Sequence, residues 1–229
     1  IANNTVEGGS GDDIIRTSQG DTSPNMVNVF SGGQGNDSIL GGMGADTYIF
    51  NRGDGQDTIH DWDVSDYKKA DRLVFGAGIT QADLSLSRIG WDLVVKVASA
   101  ANPGGDQIRV LNWFQADGRS QLETFEFSDG TSLTKAQVTQ IGNVMYGTEG
   151  ADTITGLDGG GTIDGGAGND SISDVGQGNN ILRGGDGNDT ITYSTIANNT
   201  VEGGSGDDII RTSQGDTSPN MVNVFSGGQ

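Results

Sequence analysis

An aspartate at the sixth position of a turn that opens with paired glycines recurs along the chain, and the fit is strongest at Gly32–Asp37, Gly165–Asp170, Gly184–Asp189 and Gly203–Asp208. Aspartate offers hard carboxylate oxygens. The glycines add backbone carbonyls, because glycine adopts the dihedrals that turn them inward. This donor set suits Ca2+, which takes six to eight oxygens at about 2.3–2.6 Å, better than Mg2+, which keeps its waters in a tighter octahedron. Transition metals favour imidazole or thiolate, and the chain has one histidine and no cysteine. The candidate ligands are Asp13, Asp37, Asp57, Asp152, Asp170, Asp189 and Asp208. With them go the turn glycines Gly9, Gly11, Gly33, Gly35, Gly166, Gly168, Gly185, Gly187, Gly204 and Gly206. The match is looser at Gly147–Asp152, where Thr148 replaces the second glycine, and at Arg52–Asp57, where Arg52 replaces the first.

Positioning these residues requires a repeating backbone. Around each aspartate the chain reads G-G-x-G-x-D-x-U-x, with U a large apolar residue, and a repeat of this short period stacks into a parallel β-helix. Each nonamer should give a turn of about six residues and a strand of about three, with one inward side chain per strand. The U positions include Ile39, Tyr48, Ile59, Ile154, Ile163, Ile172, Leu182, Ile191, Val201, Ile210 and Phe225, all apolar. If two nonamers make one coil, alternate turns lie on opposite sides. One side then carries Asp152, Asp170, Asp189, Asp208 (Asp13 in a second copy of the same sequence), Asp37 and Asp57. The other carries Gly161, Asn180, Asn199, Asn223 (Asn28) and Asp46. Several ions are expected, mainly in one column, opposite a ladder of asparagines. Asp46 closes a good turn of its own, but its nearest partner on that side is Asn28, and its occupancy stays open.

Composition agrees. The net charge is −19, from 31 acidic against 12 basic residues. A compact chain with this charge repels itself unless cations neutralise it, and charge gives it no attraction to nucleic acid or an anionic membrane. Hydrophobic residues make up 32%, so the core is thin. With no cysteine, metal is the available staple. No signal peptide, lipidation motif or long apolar span is present.

Ile196–Gln229 repeats Ile1–Gln34 letter for letter, a second period of 195 residues. This reads as an excerpt from a tandem array. Thr17–Pro24 interrupts the repeats as a turn-rich loop. From Asp61 to about Val138 glycine thins out and all three tryptophans appear, Trp62, Trp91 and Trp113, expected as core residues. Strands are expected at Asp71–Phe75, Leu84–Arg88, Leu93–Val97, Gln107–Leu111 and Leu122–Phe127. Ser128–Thr131 should form a hairpin turn, and Thr134 should cap a short helix reaching about Thr139. The domains are read as a calcium-binding roll over 1–61, a β-rich domain over 62–140 and a second roll over 141–229.

The Gly184–Thr192 stretch, G-G-D-G-N-D-T-I-T, resembles the RTX, or haemolysin-type, calcium-binding repeats of secreted bacterial proteins. Asp71–Phe75, Asp92–Val95 and Asn112–Phe114 resemble the domain that commonly accompanies such repeats. The resemblance implies an all-β fold: a parallel β-roll of nonamers flanking a small β-rich domain with one short helix. It also implies ions held between alternate turns by both aspartates and the glycine-turn carbonyls. The pairs are Asp152/Asp170, Asp170/Asp189, Asp189/Asp208, Asp13/Asp37 and Asp37/Asp57. It further implies type I secretion and a place outside the cell or at its surface.

Catalytic signatures are missing. There is no H-E-x-x-H, and a Ser-His-Asp triad would have to use His60 without a G-x-S-x-G context. An EF-hand over Asp61–Arg72 fails, with Asp66 at the glycine position and Arg72 at the glutamate position. Asp61, Asp63 and Asp66 read as an exposed acidic loop. The expected function is a non-enzymatic, calcium-binding structural module of a large secreted repeat protein of adhesin or stalk type. Its expected partners are calcium and neighbouring copies of the same unit. The alternatives are a glycan or cell-surface binding module, and an accessory part of a secreted toxin or enzyme.

Overall fold

A computed structural model of the chain describes residues 3–17, 27–63, 70–98, 105–156, 160–174, 179–194 and 198–213, with the strand Val224–Ser226. They fall in two compact units, Ile1–Gly142 and Asn143–Gln229. From residue 18 on, the Thr17–Pro24 loop lies outside the described residues, as does Asp66.

The first unit contains β1 (Thr5–Ser10), β2 (Ile14–Arg16), β3 (Val29–Gln34), β4 (Ser38–Leu40), β5 (Thr47–Phe50) and β6 (Gln56–His60) from the repeats. It continues with β7 (Arg72–Phe75), β8 (Leu84–Ile89), β9 (Asp92–Val97), β10 (Asp106–Val110), β11 (Thr124–Glu126), β12 (Ser132–Thr134) and α1 (Lys135–Gly142). Successive repeat strands go to opposite sheets, ordered β1-β3-β5-β7-β11-β12 and β2-β4-β6-β10-β9-β8. Pairing is parallel as far as β11 and β10, and antiparallel for β12, β9 and β8.

Register explains why the sheets continue past the repeats. Phe30, Tyr48, Leu73 and Phe125 stand opposite one another in one sheet, and Ile15, Ile39, Ile59 and Val110 in the other. All are buried. Leu73, Phe125 and Val110 thus extend the inward columns after the glycine turns stop. The composition break at residue 61 is therefore not a boundary between compact units, since 1–61 and 62–140 share both sheets. Larger side chains fill the end of the roll: Phe75 stacks on Phe127, and buried Trp113 donates from Nε1 to Thr139 Oγ1 at 2.9 Å. Trp62 and Trp91 do not join this core. They are 53% and 41% exposed, because each sits in a connection beside a strand end rather than at an inward position. The turn at Ser128–Thr131 joins β11 to β12, and Thr134 donates its N–H to Gln137 Oε1 at 2.9 Å at the start of α1. The helix runs on to Gly142 rather than ending near Thr139.

The second unit contains β13 (Val144–Tyr146), β14 (Thr153–Thr155), β15 (Thr162–Ala167), β16 (Ser171–Ser173), β17 (Ile181–Asp186), β18 (Thr190–Tyr193), β19 (Thr200–Ser205), β20 (Ile209–Thr212) and β21 (Val224–Ser226). Its sheets, β13-β15-β17-β19-β21 and β14-β16-β18-β20, are parallel throughout. Ile163, Leu182 and Val201 line one column, and Ile154, Ile172 and Ile191 the other, all buried. Each such side chain contributes about 1.5–3 kcal/mol. The Phe225 side chain lies outside the described residues. The strands are unequal: β15, β17 and β19 run on through the paired glycines, with Gly166 opposite Gly185 and Gly185 opposite Gly204. Half of the expected turn is therefore paired backbone, which fixes the glycines of successive coils one above another.

Candidate metal centre

Stacked turns bring the candidate aspartates together in register. The Asp152 N–H donates to Asp170 Oδ1 at 2.8 Å, the Asp170 N–H to Asp189 at 2.8 Å and the Asp189 N–H to Asp208 at 3.0 Å. In the first unit the Asp13 N–H donates to Asp37 Oδ1 at 2.8 Å, and the Asp37 N–H to Asp57 at 3.0 Å. Every pair carried over from the repeat pattern is thus a coil-to-coil neighbour.

The bond uses one carboxylate oxygen. The other, Oδ2, is buried without a hydrogen-bond partner in Asp13, Asp37, Asp170 and Asp189. It faces the first glycine of its own turn: a Cβ on Gly8, Gly32, Gly165, Gly184 or Gly203 would overlap the Oδ2 of Asp13, Asp37, Asp170, Asp189 or Asp208. The second glycine is held by its neighbour in the stack. Gly185 has φ +109°, and a Cβ there would overlap the Gly166 carbonyl oxygen. The fourth glycine, also at positive φ, donates from Gly168 to the Asp186 carbonyl at 2.7 Å and from Gly187 to Ser205 at 2.8 Å. All ten turn glycines named from the sequence have positive φ. Orphaned, buried carboxylate oxygens amid stacked carbonyls fit a hard cation. One carboxylate arrives per coil on this side, so backbone oxygen must complete any shell.

The two weak matches differ in kind. Thr148 donates both its N–H and its hydroxyl to Asp152 Oδ2, at 2.6 and 2.8 Å, so this oxygen is not spare. Arg52 is harmless, because its guanidinium turns outward to Asp83 and the Gly78 carbonyl, while Gly53 and Gly55 keep positive φ. Asp57 gains carboxylate neighbours that sequence reasoning missed, Asp54 and Asp106. Burial, then their charges and that of Asp37, raise it to about 7, against the lowering pull of the Asp37 N–H. Burial also raises Asp189.

A second ladder also went unread. Position five is Asp or Asn in the turns that end at Asp13, Asp37, Asp170, Asp189 and Asp208, and it bonds in the opposite direction: the Asn36 N–H donates to Asp12 Oδ1 at 2.8 Å, Asn188 to Asn169 at 2.8 Å and Asp207 to Asn188 at 2.9 Å. The recurrent Asn-Asp pair was the available signal.

The opposite side holds the expected asparagine ladder. The Asn180 N–H donates to Asn199 Oδ1 at 2.8 Å, and Asn4 Nδ2 to Asn28 Oδ1 at 3.1 Å. It then turns acidic. Asn28 donates from N and Nδ2 to Asp46 Oδ1, the Asp46 N–H to Asp71 Oδ1 at 2.7 Å, and the Asp71 N–H to Glu123 Oε2 at 3.0 Å. Asp46 thus stands at the end of the asparagine side, where the repeat series puts it, and Asp71 and Glu123 continue the ladder beyond it. The exposed acidic loop expected at Asp61 is corrected: Asp61 is fully buried beside Asp46 and Asp71, because the chain leaving β6 is held against Gly41 by the Gly41 N–H to the His60 carbonyl at 3.2 Å.

Two family models match the chain. The family of RTX calcium-binding nonapeptide repeats matches residues 2–22, 26–59, 141–173, 174–192 and 193–216. The haemolysin-type calcium binding protein related domain matches residues 92–137. The iron-regulated protein FrpA of Neisseria meningitidis serogroup C is 36% identical over 124 residues, covering 53% of this chain. The chain spans about a tenth of that relative's length. The crystal structure of the extracellular lipase LipA from Serratia marcescens aligns over 85% of this chain and 32% of its own, with TM-score 0.32 and 16% identity. No helix among the described residues is long and apolar enough to cross a membrane. With its nonapeptide repeats matched over more than half of its length, the chain belongs to the RTX, or haemolysin-type, calcium-binding repeat family.

Proposed function

We propose that the chain is a calcium-loaded structural module of a large secreted repeat protein of adhesin or stalk type. It folds as calcium binds after export and has no catalytic role of its own. The observation that carries this is the column of buried aspartates whose Oδ2 oxygens have no partner. Asp13/Asp37, Asp37/Asp57, Asp170/Asp189 and Asp189/Asp208, with the carbonyls of their glycine turns, would hold the ions. Asp152 is the poorest ligand, since Thr148 occupies its oxygen. Bound calcium supplies the positive charge that the column lacks. The protein's own part is to stack carboxylates at one per coil and to shield them from water. Without cations, a net charge of −19 and a thin core favour the extended chain, which suits passage through an export channel. A site at about 100-fold over its Kd adds about 2.7 kcal/mol to folding. Circular dichroism through a calcium titration tests this. A β signal that is complete in excess chelator and indifferent to calcium would overturn it.

We infer that successive copies share one roll. The same residues, T-V-E-G-G-S, form β1 at a sheet edge and β19 between β17 and β21. Val6 is 36% exposed, whereas its counterpart Val201 is fully buried under β17. A strand like β17 from a neighbouring copy fits the β1 edge in the same register, and would also blunt an exposed edge. A chain carrying two full copies should melt in calcium as one cooperative transition; separate transitions would refute a shared roll.

A further inference from the structure

We propose that Asp46, Asp61 and Asp71 hold a further calcium ion on the asparagine side of the first unit, where one repeat turn meets two aspartates from outside the repeats. One carboxylate oxygen from each lies within 4.8 Å of the other two. Oxygens bound to one calcium at about 2.3–2.6 Å stand at most about 5 Å apart, so the three converge on a single ion's shell. All three residues are at most 1% exposed.

Each is delivered by a different element. Asp46 closes the turn before β5. Asp71 precedes β7 and is fixed by the Asp46 N–H to its Oδ1, and by the Arg72 N–H to the Asp46 carbonyl at 2.9 Å. Asp61 follows β6 in the opposite sheet. Its Oδ1 accepts the Tyr48 hydroxyl at 2.5 Å, while its Oδ2 is buried with no hydrogen-bond partner. Gly41 is required here, since a Cβ would overlap the Tyr48 hydroxyl and crowd Asp61.

Nearby basic side chains are engaged elsewhere: Arg72 with Thr47 and Glu126, and Lys135 with Glu123. Buried carboxylates this close stay ionised only beside a cation. An all-oxygen, multiply charged set without imidazole or thiolate selects a hard divalent ion. The site differs from the repeat column in that Asp61 and Asp71 belong to no glycine turn, so it can stand or fall independently of the column.

The test is a crystal of the full chain soaked in terbium as a calcium mimic, with equilibrium dialysis of calcium on wild type and Asp61→Asn. An anomalous peak among Asp46, Asp61 and Asp71, and one calcium fewer in Asp61→Asn with affinity elsewhere unchanged, are expected. Peaks along the Asp170–Asp189 column with none at this cluster would overturn this site alone. A peak here without column peaks would support this site and overturn the repeat reading. Should Asp61→Asn fail to fold, the wild-type peak decides by itself.

Discussion

The main-chain N–H of Asp170 donates to Oδ1 of Asp189 at 2.8 Å, and Oδ2 of that same carboxylate is buried without a partner. One oxygen keeps the coils in register and the other is spare. Substitution separates the two roles. Asp189→Asn keeps an acceptor for the Asp170 N–H but loses the charge. Calcium affinity of the column should fall roughly tenfold or more, because ligand charge sets affinity. Folding in chelator should hold or improve, since burial already disfavours the Asp189 charge. Asp189→Ala also strands the Asp170 N–H, at a cost of about 1–3 kcal/mol. Calcium titrations and thermal melts of both variants check this, and equal behaviour of Asn and Ala would refute it.

Glycine matters at the second turn position for two reasons that also separate. Gly185 and Gly53 both have positive φ, so alanine is strained at either, by about 1–2 kcal/mol. Only at Gly185 would a Cβ strike the neighbouring coil, at the Gly166 carbonyl, while nothing lies within 4 Å at Gly53. Gly185→Ala should therefore lower the melting temperature in calcium well beyond Gly53→Ala. Equal losses would mean that stacking adds nothing to the backbone requirement.

The repeat side of the fold was legible because its period is short and strict. One glycine pair, one aspartate and one apolar residue per nonamer fixed the columns of Ile172 and Ile191, the pairing of Asp170 with Asp189, and the asparagine ladder through Asn180 and Asn199. The Asp46 cluster was not legible. Asp61 and Asp71 sit in a stretch without period, and only the closing of two sheets brings them together. The tryptophans misled for the same reason: outside a repeat, a large side chain carries no phase. Trp113 went inward, and Trp91 outward beneath the Arg88 guanidinium, 5.4 Å from its ring centre.

Thr148 closes the start of the second-unit column. Its N–H and hydroxyl occupy Asp152 Oδ2, and it lacks the positive φ of the glycines that replace it elsewhere. Thr148→Gly restores the consensus turn and removes the competing hydroxyl. The variant should bind one calcium more than wild type, or bind its weakest calcium more tightly, by equilibrium dialysis. An unchanged isotherm would show that Asp152 takes no part in binding.

Proton binding supplies the last prediction. Asp57 stands at about 7 and Asp71 at about 8, instead of the ordinary 3.8. Burial is the largest cause at each. Asp37, Asp54 and Asp106 then raise Asp57, while Asp63, Glu123 and Asp46 raise Asp71. In the metal-free fold these carboxyls keep protons that the unfolded chain releases. Their contribution is fully present below about pH 4 and is lost as pH rises through about 7 and 8. Calcium inverts this dependence, because its ligands must be deprotonated and a bound ion displaces the protons. Circular dichroism in chelator should therefore show more folded chain at pH 5 than at pH 8. The calcium concentration needed for half-folding should fall over the same interval. A chelated chain equally folded at both values would mean that Asp57 and Asp71 are already ionised without metal, and that neighbouring groups rather than protons carry their charge.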